Sequence, residues 1–178
     1  MKTKIEITRD WLPRYTGTEI AEFGDYILLT NFSNYITKFA ERFDCEIRGE
    51  GGPMQTATNK NGLSIINFGI GSANAATIMD LLTACNPKGV LFLGKCGGLK
   101  QTAELGRYII PIAAIRGEGT SNDYLPPEVP AFGSTAHSRC FRIYNTSLSH
   151  KIPPFKVKSA TDVTGLTCCY FFSLDKSN

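Results

Sequence analysis

The chain has 178 residues, 42% of them hydrophobic and 20% charged, a composition that fits one globular domain large enough to bury a sizeable core. Net charge is +3, split into −1 over residues 1–130 (13 Lys+Arg, 14 Asp+Glu) and +4 over residues 131–178 (6 Lys+Arg, 2 Asp); the basic share holds no dense run, which argues against a nucleic-acid arm. No apolar run approaches the roughly 18 residues of a membrane span, and the start MKTKIEITRDW has no apolar stretch, so no membrane partner, no signal peptide and a cytoplasmic location are expected.

In chain order, Tyr26–Thr30 predicts a short buried strand. Asn31, Phe32 and Ser33 follow, with cap-type side chains at Asn31 and Ser33. Ile36, Phe39, Ala40 and Phe43 then fall at i, i+3, i+4 and i+7, one face of an amphipathic helix. Gly49, Gly51, Gly52 and Pro53 mark a loop. Leu63–Phe68 is the second strand, Gly69-Ile70-Gly71 a tight turn, and Ser72 a candidate cap for the next helix, whose core stripe is Ala75, Ile78, Met79 and Leu82. Pro87 closes that helix. Val90–Leu93 is the third strand, ending in Gly94-Lys95-Cys96-Gly97-Gly98. Residues 107–115 form a further strand in which Pro111 marks a bulge or an edge. Strand, helix, strand, helix, strand predicts α/β architecture, a mainly parallel (mixed) sheet flanked by helices.

Residues 116–130, RGEGTSNDYLPPEVP, form a polar loop long enough to be functional. From Phe132 the pattern changes: twelve residues are Ser or Thr, Glu disappears, and Pro153-Pro154 interrupts the segment. The expected organisation is therefore an α/β domain over residues 1–131 and a divergent tail over 132–178.

The turns carry the chemistry. Backbone N–H groups at a helix N-terminus attract anions and sugar oxygens, so Gly69, Gly71 and Ser72 form either a plain turn or a ligand-facing one. The dinucleotide fingerprint fails there, because Asn74 replaces its third glycine and no acid ends the next strand, which argues against NAD or FAD. Gly94–Gly98 lies at a strand's carboxyl end, where open α/β sheets bind ligands, and is either a tight turn or a close backbone approach. Lys95 is either a solvated charge or an anion contact. Cys96 has no histidine in the preceding residues to activate it, and a nucleophile is disfavoured. In the 116–130 loop, Arg116 beside glycines and Tyr124 could hold a phosphate and stack on a base, or simply be solvated. The six cysteines form no CxxC pair, and the two histidines stand at no metal-ligand spacing, so reduced thiols and no metal are expected.

Together these segments resemble the purine nucleoside and uridine phosphorylase superfamily. YILLTNFSNYITKFAERF is similar to its first strand, phosphate turn and helix, INFGIGSANAATIMDLL to its Gly-x-Gly turn and helix, and VLFLGKCGGL to its glycine-rich strand end. LGRYIIPIAAIRGEGTSNDYLPPEVPA is similar to the loop that approaches the nucleoside. The likeness is strongest to the short bacterial AMP nucleosidases and spans about residues 1–131. It implies hydrolysis of AMP to adenine and ribose 5-phosphate, no metal or redox cofactor, a homo-oligomer in the intact family, and a role in purine salvage. It implies substrate-binding residues at Asn31, Gly69, Gly71, Ser72, Lys95, Cys96, Gly97, Arg116, Glu118 and Tyr124. The alternatives are a nucleoside phosphorylase acting on purine nucleosides or uridine, and a non-catalytic nucleotide-binding fragment.

Three departures bear on activity. Phosphorylases place arginines where Tyr35 and Phe92 stand here, and loss of two bidentate forks points towards a hydrolase. Lys95 stands where they tend to carry a small hydroxyl residue, so Lys95 or Arg116 is expected to meet the nucleotide phosphate. The family's Met-Glu segment for ribose and its later leaving-group Asp have no match after Phe132, where Asp162 and Asp175 are the only acids. The catalytic residue is thus unassigned. The tail is expected to be a frameshifted or truncated end, leaving the fold incomplete at its C-terminus and activity low.

Overall fold

The computed structural model describes residues 2–96, 108–109, 113–132 and 166–172. A helix at Lys4–Thr16 (α1) precedes the first strand, Tyr26–Thr30 (β1). Then come helix Ser33–Phe43 (α2), strands Ile47–Arg48 (β2), Gln55–Thr58 (β3) and Leu63–Asn67 (β4), helix Ser72–Leu81 (α3), and strand Gly89–Cys96 (β5). Short strands Tyr108–Ile109 (β6), Ala113–Ala114 (β7) and Ala131–Phe132 (β8) follow, and Leu166–Phe172 is β9.

The main sheet has the order β2-β3-β4-β1-β5-β9-β6. Its centre is parallel: β1 runs beside β4 (Leu28 opposite Ile65) and beside β5 (Leu28 opposite Leu91). Its flanks are not, since β3 pairs antiparallel with both β2 and β4, and β9 pairs antiparallel with β5. The sheet is therefore mixed, with the expected parallel core. Because β9 enters antiparallel, it does not continue the βαβ succession. The other residues of the expected tail, 133–165 and 173–178, lie outside the described set.

Side chains alternate across a strand, and both faces of this sheet are covered. Ile27 and Leu29 of β1, Ile66 of β4 and Val90 of β5 meet Leu12 of α1 and Ile78 and Leu81 of α3 on one face. Leu28 and Ile65 point the other way, onto Ile36 and Phe39 of α2. The predicted stripes of α2 and α3 thus form two separate cores, one on each side.

Three expectations change. The N-terminal helix was not anticipated from apolar spacing; it is set by a capping box, in which the Thr3 hydroxyl accepts from the Glu6 N–H and the Glu6 carboxylate accepts from the Thr3 N–H at 2.7 Å. Gly17 ends it with φ 63°, a left-handed cap that favours glycine. The loop at 49–53 is real but short, and joins a β2–β3 hairpin that the sequence pattern did not announce. The strand expected over 107–115 is divided between two sheets: β6 pairs with β9, and β7 pairs with β8. Arg107 and Pro111 lie outside the described residues.

Candidate functional site

The chain passes from β1 through α2 to β4 on one side, then crosses through α3 to β5 on the other side of β1. The strand order reverses between β1 and β5, and helices α2 and α3 cover opposite faces. At such a switch point the loops after the two strands diverge and leave a crevice outside the carboxyl ends. Asn31 and Phe32 leave β1 there, Gly69–Gly71 leaves β4, and Gly94-Lys95 ends β5.

The β1–α2 turn does not use its cap-type residues as expected. Phe32 is the N-cap and no side chain caps α2; instead the Thr30 hydroxyl accepts from the Phe32 N–H at 3.2 Å. The Asn31 Oδ1 is buried and has no hydrogen-bond partner among the described residues. Buried acceptors are normally satisfied, so this oxygen is an open acceptor at the crevice.

The β4–α3 turn is held by Asn67, whose Oδ1 accepts from the Gly69 N–H at 3.1 Å. Gly71, not Ser72, is the N-cap of α3, and it has φ 105° and ψ 151°. An added Cβ at Gly71 would meet nothing among the described residues, so the glycine is required by its backbone angle rather than by crowding. Ser72 is the first helical residue, and its hydroxyl lies 2.8 Å from that of Thr120. Its role is to tie the 116–130 loop to α3.

Lys95 is exposed at the end of β5. Its ammonium lies 4.7 Å from the Phe32 ring centroid and 5.6 Å from that of Tyr35. Those two rings are tilted against each other at 5.6 Å, and the Tyr35 N–H donates to the Phe32 carbonyl at 3.0 Å, fixing both on the first turn of α2. Among the described residues no ion pair includes Lys95. Phe92, two residues before Gly94, stacks obliquely on Phe68 at 5.7 Å.

The 116–130 loop is organised from within. Arg116 donates to the carbonyls of Ser121 at 2.8 Å and Leu125 at 3.1 Å, and also to that of Pro126. Its buried Nε has no partner among the described residues. The guanidinium is thus turned into its own loop rather than towards the crevice. Glu118 accepts from both the backbone N–H and the hydroxyl of Ser121, and the hydroxyl bond holds its carboxyl below the usual carboxylate range. The Tyr124 hydroxyl donates to Asp80 at 3.0 Å; burial, then that carboxylate, push the phenol up. Asp80 also receives Lys4 at 2.8 Å. Asp80 is eight residues beyond Ser72, about 12 Å along the helix axis at 1.5 Å per residue. Tyr124 is therefore anchored at the far end of α3 from the glycine turn.

Of the residues picked from the sequence, the structure gathers Asn31, Gly69, Gly71, Ser72 and Lys95 around the strand ends. Glu118 is tied in through the loop's contact with Ser72. Arg116 and Tyr124 are engaged in loop anchoring. Gly97 lies outside the described residues, and β5 ends at Cys96. Phe32 and Tyr35 were not picked for this purpose. A lysine at one strand end and two aromatics in the turn after the adjacent strand could have signalled the contact, but only once β1 and β5 were known to be neighbours.

This is an α/β protein whose strand order reverses between β1 and β5, the place at which open α/β sheets bind their ligands. The chain belongs to the phosphorylase superfamily, whose family model matches residues 25–167. The crystal structure of an AMP nucleosidase from Bacteroides thetaiotaomicron is 56% identical, with a TM-score of 0.77, over 83% of this chain and 64% of that one. The AMP nucleosidase of Escherichia coli K12 is 26% identical over 164 residues, 71% of this chain and 34% of that protein. The uridine phosphorylase of Treponema pallidum is 27% identical over 121 residues, 66% of this chain and 47% of that protein. The chain thus spans about a third to two thirds of the length of these relatives.

Proposed function

We propose that the crevice at the ends of β1, β4 and β5 binds AMP, and that the reaction of the site is hydrolysis of its N-glycosidic bond. The observation that carries this reading is Lys95: an exposed ammonium at the switch point, seated on aromatic rings and in no ion pair among the described residues. A phosphate monoester supplies the missing counter-charge. Because Arg116 is spent on its own loop, Lys95 is favoured over Arg116 as the phosphate contact. The 56% identity to an AMP nucleosidase supports AMP over a free nucleoside.

In the reaction, water attacks C1′ as the C1′–N9 bond breaks, and the departing purine takes up a proton. The transition state carries ribosyl cation character, so the site must favour that charge distribution over the ground state. Asn31 Oδ1 is suited to accept from a ribose hydroxyl or from the attacking water, and the first-turn amides of α3 to meet ribose oxygens. Tyr35 and Phe92 offer no fork for a second, inorganic phosphate, which favours water over phosphorolysis.

We further infer that residues 132–178 diverge from the pattern of the relatives, although the family model runs on to residue 167, and that neither Asp162 nor Asp175 is the leaving-group acid. Cytoplasmic purine salvage, in a homo-oligomer, is the setting this reading implies. Incubation with AMP, with and without inorganic phosphate, tests the assignment. Adenine release that is indifferent to phosphate is expected. Base release that requires phosphate contradicts it and favours a phosphorylase.

A further inference from the structure

We propose that Phe32 and Tyr35 are positioning residues that make Lys95 a phosphate selector, and so set the site's preference for a nucleoside monophosphate over the nucleoside. This rests on the reading that Lys95 meets the 5′-phosphate.

The argument begins with what a ring can and cannot do to an ammonium. A carboxylate partner would hold Lys95 but cancel its charge and occupy its donors. The negative face of an aromatic ring attracts the cation while leaving its charge and three N–H donors available. Here two rings act together, at 4.7 and 5.6 Å from the nitrogen. The backbone beneath both is held, since the Phe32 N–H donates to the Thr30 hydroxyl and the Tyr35 N–H to the Phe32 carbonyl; the Tyr35 ring packs against the α2 core and the Phe32 ring against that of Tyr35. They follow the strand beside β5, Phe32 as the N-cap and Tyr35 in the first turn of α2, and that strand ends at Thr30 opposite Leu93, two residues before the lysine. A lysine stem is otherwise free to sample many rotamers in water. Seating it beforehand removes part of the ordering cost that phosphate binding would incur.

The position of the seat matters as much as its strength. It lies over the start of α2, on the β1–β5 side of the crevice, whereas the glycine turn lies on the β4 side. A ligand bridging the two places its sugar towards Gly69–Gly71 and its phosphate towards Lys95. Moving the ammonium off the rings therefore weakens the phosphate end and leaves the nucleoside end untouched.

The test is calorimetric titration of AMP and adenosine into wild type, Tyr35→Leu, Tyr35→Phe, the Phe32→Leu/Tyr35→Leu double variant and Lys95→Ala. Each ring lost should lower AMP affinity about two- to fivefold, the range for partly exposed cation–π contacts. Adenosine affinity should stay constant, which also reports that the variants remain folded. Tyr35→Phe should retain the wild-type preference, because the ring face and not the hydroxyl holds the cation. In wild type, the Lys95 ε-methylene proton resonances should be shifted upfield by the rings and return towards ordinary lysine positions in the double variant. If wild type prefers AMP and Lys95→Ala abolishes the preference, but the double variant keeps it, the positioning role is wrong while the phosphate contact stands. If wild type does not prefer AMP, or Lys95→Ala leaves the preference intact, the phosphate contact is wrong and this inference falls with it.

Discussion

Arg116→Lys isolates the internal architecture of the 116–130 loop. The guanidinium reaches three carbonyls, those of Ser121, Leu125 and Pro126, from the two arms of one planar fork. An ammonium on a lysine stem cannot reproduce that fork, although it keeps the charge. Hydrogen bonds to a charged donor contribute about 1.5–3 kcal/mol each when protected, but the Leu125 and Pro126 bonds are exposed, so we take about 1 kcal/mol per lost carbonyl and two to three carbonyls lost. A local cost of about 2–3 kcal/mol raises the loop's opening constant roughly 30- to 150-fold. Native-state hydrogen exchange followed by mass spectrometry reads this directly, as faster exchange in peptides covering 118–129. Global unfolding by urea should shift much less, because neither core cluster includes the loop. Unchanged exchange in the loop would refute the fork's role. Equal losses in the loop and in global stability would refute its independence from the core.

Other expectations follow from single groups. Ile78 is fully buried under the sheet, so Ile78→Ala should cost about 2–5 kcal/mol in urea denaturation. Burial pushes the Cys85 thiol up to about 11 from its ordinary value near 9. A raised folded value stabilises the protein fully below about pH 9 and loses that contribution as pH climbs through about 11; Cys85→Ala should flatten this part of the stability–pH curve relative to wild type. Lys95→Ala should weaken AMP roughly 10- to 100-fold, the worth of one charge-assisted contact, without changing adenosine binding. Sequencing the nucleotides that encode residues 125–178 should reveal, in another frame, a Met-Glu segment and a later Asp; their absence in all frames would remove the frameshift account of the tail.

The parallel centre was legible because its signals are local. Tyr26–Thr30 and Leu63–Asn67 are compact apolar runs, and Ile36/Phe39 and Ile78/Leu82 recur at helical spacing. The N-terminal helix was missed although Thr3-x-x-Glu6 signals it, because its apolar residues face both ways: Leu12 is buried while Ile5 and Trp11 are exposed. The β2–β3 hairpin escaped notice because β2 is only Ile47–Arg48, β3 reads Gln-Thr-Ala-Thr with little apolar signal, and its glycine-rich turn dominates the pattern. Caps were over-read. Asn31, Ser33 and Ser72 have the right chemistry, but Thr30 serves the β1–α2 turn, and Gly71 occupies the cap of α3.

The site residues divide on the same principle. Gly69 and Gly71 follow a strand and Lys95 stands at the end of one, so their place at the carboxyl ends could be reasoned from connectivity alone. The roles of Arg116 and Tyr124 depend on which partner lies nearest after folding. Arg116 finds the carbonyls of its own loop, and Tyr124 finds Asp80, distances that no motif encodes. The aromatic seat of Lys95 is the converse case, a contact between residues about sixty positions apart that exists only because β5 inserts beside β1.

The central claim is that Lys95 receives the phosphate of AMP at the β1–β5 switch point. A crystal structure of the protein with AMP tests it most directly. The account predicts phosphate oxygens within about 3 Å of Lys95 Nζ, the hydrogen-bond range of a charge-assisted contact, with the ribose towards Gly69–Gly71. AMP bound with its phosphate away from Lys95, or at any place other than the carboxyl ends of β1, β4 and β5, would contradict it.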